Sequence, residues 1–133
     1  SLANHIKNKI IIYENVGEED LVWFYENADL FVYPSFGEGF GIPPLEAVML
    51  GTKVICSNTT ALRDFDFFEG YRFNPYDNDE IKSKIIQELN DKEYRFDRIK
   101  KEIMSRYSPE KISALVRDSF IKVFNSTNRF REC

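Results

Sequence analysis

Gly37-Glu38-Gly39-Phe40-Gly41-Ile42-Pro43-Pro44-Leu45-Glu46-Ala47 is the stretch that decides the fold. An apolar run, Asp29-Leu30-Phe31-Val32-Tyr33-Pro34-Ser35, precedes it, and a helical pattern, Pro44-Leu45-Glu46-Ala47-Val48-Met49-Leu50, follows. Strand, glycine-rich loop and helix start therefore stand in immediate succession. Glycines at 37, 39 and 41 let the backbone approach a ligand closely and adopt positive φ. Pro43-Pro44 fixes φ for the first helical turn, where a missing N–H is no loss. Free amides and the positive dipole end of the helix make an anion site. Glu38 and Glu46, one on each side of the turn, are acceptors for hydroxyl groups. A ligand that is phosphorylated and rich in hydroxyls suits this turn, and a nucleotide sugar has that chemistry.

The segment from Glu38 to Glu46 resembles the signature of the group 1 retaining glycosyltransferases, enzymes of the two-domain GT-B fold. It has two glutamates separated by seven residues, with Gly-Phe-Gly directly after the first. The likeness extends over residues 21–35 and 47–58, and residues 9–124 can be laid on the C-terminal domain of such an enzyme. The resemblance implies that Glu38 is the catalytic residue, in contact with the transferred sugar. It implies that Gly39, Phe40, Gly41 and Ile42 meet sugar and diphosphate through backbone amides. Leu45 then lies beneath the ribose and Glu46 holds the ribose hydroxyls. Val16 is the implied base contact, in the loop Glu14-Asn15-Val16-Gly17, although Glu14 stands where the family usually has glycine. Phe40 reads equally well as an apolar anchor for its loop.

The same resemblance places a basic pair that grips the diphosphate, and an acceptor-binding N-terminal domain, upstream of Ser1. Residues 1–133 are accordingly expected to be one truncated nucleotide-sugar-binding domain, inactive alone. The partners implied are a nucleoside-diphosphate sugar donor, an acceptor glycan or lipid-linked acceptor, and the N-terminal domain of the same enzyme. No cofactor and no metal is implied.

Outward from the glycine turn, apolar strands alternate with helical patterns, which predicts an α/β, Rossmann-like three-layer domain with a parallel sheet. Strands are expected at residues 10–13 (Ile10-Ile11-Ile12-Tyr13), 30–33 and 54–56, with a short fourth at 71–73. Leu21, Phe24, Tyr25 and Ala28 recur at helical spacing behind the acidic first turn Glu18-Glu19-Asp20. The helix after the glycine turn should stop at Gly51. Residues 65–70 read as a loop or short helical turn. The C-terminal third is helical, with apolar faces Ile81/Ile85/Ile86/Leu89, Phe96/Ile99/Ile103/Tyr107 and Ile112/Leu115/Val116/Phe120/Val123/Phe124. Ser108-Pro109 begins the last of these as cap and first residue. That final stripe is expected to pack on its own domain or on the N-terminal domain. Ligands of such sheets bind beyond the C-terminal ends of the strands, where the glycine loop lies.

A chain of 133 residues is long enough for a core of its own. Charge is uneven: residues 1–90 hold 7 Lys/Arg against 15 Asp/Glu, and residues 91–133 hold 11 against 7. An acidic body argues against nucleic-acid binding, while the basic third could face an anionic membrane or the partner domain. No apolar run reaches the roughly 20 residues of a membrane span, so membrane contact would be peripheral. Cys56 and Cys133 form neither a disulfide framework nor a zinc pattern, which fits a reducing, cytoplasmic compartment. Asn58-Thr59-Thr60 and Asn125-Ser126-Thr127 match the glycosylation triplet, a pattern common by chance.

Asp77-Asn78-Asp79 resembles the acidic metal triplet of the other major glycosyltransferase fold, but helix capping explains it better. His5, the sole histidine, builds no nucleophilic triad. Two rival functions remain at this level. One is a glycosyltransferase-like binding module without turnover. The other is a GT-B enzyme of another class, such as a nucleotide-sugar epimerase or a phosphorylase.

Overall fold

The computed structural model describes residues 9–128, with side chains through residue 122. His5, Cys133 and the side chains of Val123 and Phe124 lie outside the described residues. In chain order the elements are α1 (Glu18–Asn27), β1 (Phe31–Tyr33), α2 (Ile42–Met49) and β2 (Val54–Ser57), then two 3-10 turns (Thr60–Asp64 and Asp66–Phe68). There follow β3 (Arg72–Phe73), α3 (Asn78–Asn90), α4 (Phe96–Tyr107) and α5 (Pro109–Asn128). The strands form one parallel sheet in the order β1-β2-β3. Phe31 pairs with Val54, Tyr33 with Cys56, and Ser57 with Phe73.

All four residues of β2 are buried. Successive strand side chains point to opposite faces, so both faces of the central strand are covered, as a parallel sheet requires. The core gathers Ala47 and Val48 of α2, Ile55 and Cys56 of β2, Leu62 and Phe65 of the 3-10 region, and Ile99 and Ile103 of α4. The Tyr94 hydroxyl substitutes for a further strand at the start of β2. It accepts from the Val54 amide at 3.1 Å and donates to the Val54 carbonyl at 2.9 Å.

The helix ends follow the sequence closely. Asp77 Oδ1 accepts from the amides of Asp79 and Glu80, both at 3.0 Å, so the acidic triplet is a helix cap. Gly51 has φ 102 and closes the turn after α2. The Lys53 ammonium donates to the carbonyls of Glu88 and Asp91, placing a cation at the negative end of α3.

Two expectations need correction. Residues 10–13 form no strand, and Ile10, Ile11 and Ile12 are 60%, 73% and 83% exposed. A strand exists only with a partner for its amides and carbonyls, and among the described residues β1 pairs with β2 alone. On α3 the inward face is Ile81, Ile85 and Glu88; Ile86 and Leu89 stay exposed. Glu88 is buried 3.9 Å from Lys84, and burial raises its carboxyl above the usual range. Of the two surfaces expected for the α5 stripe, its own domain does not cover Leu115 and Phe120, which are 62% and 72% exposed; packing on an N-terminal domain stays the expectation.

Candidate active site

β1 delivers two hydroxyls to one carboxylate. Tyr33 ends the strand, and Ser35 lies two residues on, on the same side of extended backbone. The Tyr33 hydroxyl donates to Glu38 Oε1 at 2.6 Å, and Ser35 Oγ donates to the same oxygen at 2.7 Å. Ser35 has a second acceptor in the Gly37 carbonyl, but at 3.4 Å it is the weaker one. Hydrogen bonds to the charged form favour ionisation. Tyr33 first, and Ser35 second, hold the Glu38 carboxyl below the usual carboxylate range. Tyr33 in turn is pushed up to about 12, by burial first and then by its bond to Glu38. It therefore remains a donor throughout the neutral range.

A second layer of hydroxyls fixes this loop to the end of β2. Ser57 Oγ donates to the Tyr33 carbonyl at 3.3 Å, and Thr59 Oγ1 to the Ser35 carbonyl at 3.1 Å. The Glu38 amide donates to Thr60 Oγ1 at 2.9 Å. Thr60 has φ 43 and is, among the described residues, the one non-glycine at positive φ. For a β-branched residue that conformation is strained.

The turn then enters α2 through Gly41, whose φ is 92. A Cβ there would collide with the Leu62 side chain, so the fold itself demands glycine. Gly37 and Gly39 are different, because a Cβ on either would meet open space. The two prolines modify the expected anion site. Pro43 and Pro44 supply no amide, leaving Ile42 as the only donor among the first three helical residues. Anion-binding capacity therefore rests on Ile42 and the loop amides of Gly39, Phe40 and Gly41. Phe40 packs edge-on against Phe65 and Tyr107, at 5.6 and 5.3 Å between centroids, so its ring anchors the loop. Ile42 is exposed, and Leu45 is buried in the core cluster.

Glu46 is exposed on α2 and lines a hollow of about 360 Å³ with Glu18, Leu21, Val22, Tyr25 and Leu50. The buried Tyr25 phenol lies beside it and is raised by that burial first and by the Glu46 carboxylate second. Phe31 joins the two glutamate surroundings: its ring meets Tyr25 edge-on at 5.2 Å and stacks on Tyr33 at 5.9 Å. Each glutamate of the pair thus has a tyrosine behind it. Val16 is set apart, in a smaller hollow of about 250 Å³ with Tyr13, Asn15, Asp20, Trp23 and Phe24.

Tyr33, Ser35 and Tyr25 carry no site assignment from the sequence, and Thr60 enters there only within the triplet Asn58-Thr59-Thr60. The available signal was spacing, because residues 33 and 35 alternate onto the side of the loop carboxylate.

Residues 1–105 match the family described as glycosyl transferases group 1. The chain is 46% identical over 80 residues to the O-antigen chain mannosyltransferase B of Escherichia coli, covering 60% of this chain and 21% of that protein. It is 35% identical over 88 residues to the serotype-specific mannosyltransferase WbdA of the same species, covering 66% and 11%. To the O-antigen chain mannosyltransferase RfbU of Salmonella typhimurium it is 36% identical over 93 residues, covering 68% and 26%. The chain thus spans about a quarter or less of the length of these relatives. No described helix is long and apolar enough to cross a membrane.

Proposed function

We infer, because the chain belongs to the group 1 glycosyl transferases, that it is the donor-binding part of a retaining glycosyltransferase. The reaction moves a sugar from a nucleoside diphosphate to an acceptor hydroxyl, and the mannosyltransferase relatives make mannose the first sugar to test. The short share of each relative that the chain covers supports a larger enzyme in which further polypeptide binds the acceptor. The acceptor is then a glycan or lipid-linked glycan, in keeping with the O-antigen relatives, and work on the cytoplasmic membrane face follows from the same reading.

One observation carries the proposal. A glutamate held ionised by two hydroxyls stands directly before a glycine turn with free amides, itself leading into the helix that bears Glu46. In this reading the amides of Gly39, Phe40, Gly41 and Ile42 stabilise charge that develops on the leaving diphosphate. Glu38 accepts a hydroxyl of the transferred sugar, and Glu46 accepts those of the ribose. Val16 stays a proposed base contact, from its separate hollow.

The test is sugar transfer from nucleoside-diphosphate mannose by the enzyme containing this chain, with the anomeric configuration of the product read by NMR. Transfer with retention is the expected result. Donor binding without any transfer would favour a non-catalytic module, and an epimerised donor or a sugar phosphate product would favour another GT-B reaction.

A further inference from the structure

Three hydroxyl residues converge on Glu38, and their arrangement is asymmetric. Oε1 accepts from both Tyr33 and Ser35, at 2.6 and 2.7 Å. Those two bonds occupy the two lone pairs of that oxygen. Among the described residues Oε2 has no donor. The backbone of the same residue is tied from beyond the end of the neighbouring parallel strand, where the Glu38 amide donates to Thr60 Oγ1 at 2.9 Å. Side chain and main chain of Glu38 are therefore fixed from β1 and from the β2 exit respectively. Thr60 holds its post in strained backbone at φ 43, a conformation that glycine would adopt freely. Strain of this kind persists where surrounding contacts over-determine it.

We propose that Tyr33, Ser35 and Thr60 are positioning residues for Glu38, locking Oε1 and the amide so that Oε2 alone faces a hydroxyl of the transferred sugar. This rests on the glycosyltransferase reading above. The effect is preorganisation. A glutamate free to rotate would present either oxygen in many orientations, whereas this one has a single free acceptor in a fixed place. Tyr33 is the titratable group that bears on Glu38 from β1; Ser35 in the loop and Thr60 from the 3-10 turn are neutral hydroxyls.

The experiment combines kinetics with a direct titration. Tyr33→Phe, Ser35→Ala, Ser35→Thr and Thr60→Gly are made in the enzyme containing this chain and assayed with nucleoside-diphosphate mannose. In parallel, the Glu38 carboxyl is titrated by carbon-13 NMR. Tyr33→Phe and Ser35→Ala should lower kcat by about tenfold or more, the scale of losing a hydrogen bond to a charged group. Donor KM should change far less. The Glu38 titration and the acid limb of the rate profile should move upward together, and Ser35→Thr should restore both.

Thr60→Gly separates positioning from folding. It relieves the backbone strain, so thermal stability should hold or rise while kcat falls. Variants that turn over like the parent, or a Glu38 titration unmoved by Tyr33→Phe, would overturn the proposal. A titration that moves in a protein that transfers no sugar would overturn the enzymatic reading instead, and leave the hydrogen-bonded clamp standing.

Discussion

The hydroxyl of Tyr94 brackets the peptide of Val54, accepting from its amide at 3.1 Å and donating to its carbonyl at 2.9 Å. A side chain 40 residues away thus completes the hydrogen bonding of the strand that anchors the sheet. Tyr94→Phe keeps the ring and leaves both groups unpaired in a buried setting. It should destabilise the chain by about 1–3 kcal/mol, read as a lower urea midpoint with an unchanged slope.

The glycines of the loop should divide by substitution. Gly41→Ala forces a side chain into φ 92 and against Leu62. The backbone alone should cost about 1–2 kcal/mol, visible in a denaturant melt. Gly39→Ala meets open space and should alter stability by less than about 0.5 kcal/mol. Its effect should appear in calorimetric titration with nucleoside-diphosphate mannose, as weaker binding. Equal stability losses at both positions would show that the loop is glycine-rich for folding alone.

The glutamates should divide by kinetic constant. Glu46→Gln exchanges a charged acceptor for a neutral one and should weaken donor affinity by about tenfold to a hundredfold. Glu38→Gln should lower kcat more than it changes donor KM, since its contact is strongest as the sugar–phosphate bond breaks. Two fully active variants would defeat both assignments.

Cys56 supplies a prediction in pH. Burial pushes its thiol up to about 12, against a smaller opposing pull from Arg72. A folded pKa above the unfolded one stabilises fully below the ordinary thiol value of 9.0, and that contribution is lost as pH rises toward about 12. In a Cys133→Ser background, a thiol reagent at pH 8 should leave the folded chain unlabelled and label it promptly in urea. Rapid labelling without denaturant would show that the β2 core opens readily.

Leu115 on α5 is 62% exposed. Leu115→Ala should therefore change the stability of this chain by less than about 0.5 kcal/mol, where a core leucine would cost about 2–5 kcal/mol. A large loss would place that face against something in solution.

What the sequence revealed depended on whether the deciding contacts were local. β1, β2 and the start of α2 were legible because short apolar runs, Gly41 and the two prolines each dictate their own backbone. Asp77 was legible as a cap because its partners are two and three residues away. Residues 10–13 have the composition of a strand, but pairing is non-local and no described neighbour supplies it. On α3 the apolar count favoured Leu89, whereas the helix turns Glu88 inward with Ile81 and Ile85. Glu38 was visible as a motif, yet its hold through Thr60 joins residues 22 apart and could not be read along the chain.

The bare run Ile10-Ile11-Ile12-Tyr13 also bears on how the chain behaves in a test tube. Ile10, Ile11 and Ile12, strand-favouring, largely exposed and without a strand partner among the described residues, have the makings of an adhesive segment. The outer edge of β1, unpaired among the described residues, offers a template to which such a segment from another copy can add. Lys9 and Glu14 border this tract, and a charged residue placed within it, as in Ile11→Lys, is expected to raise the solubility of the isolated chain.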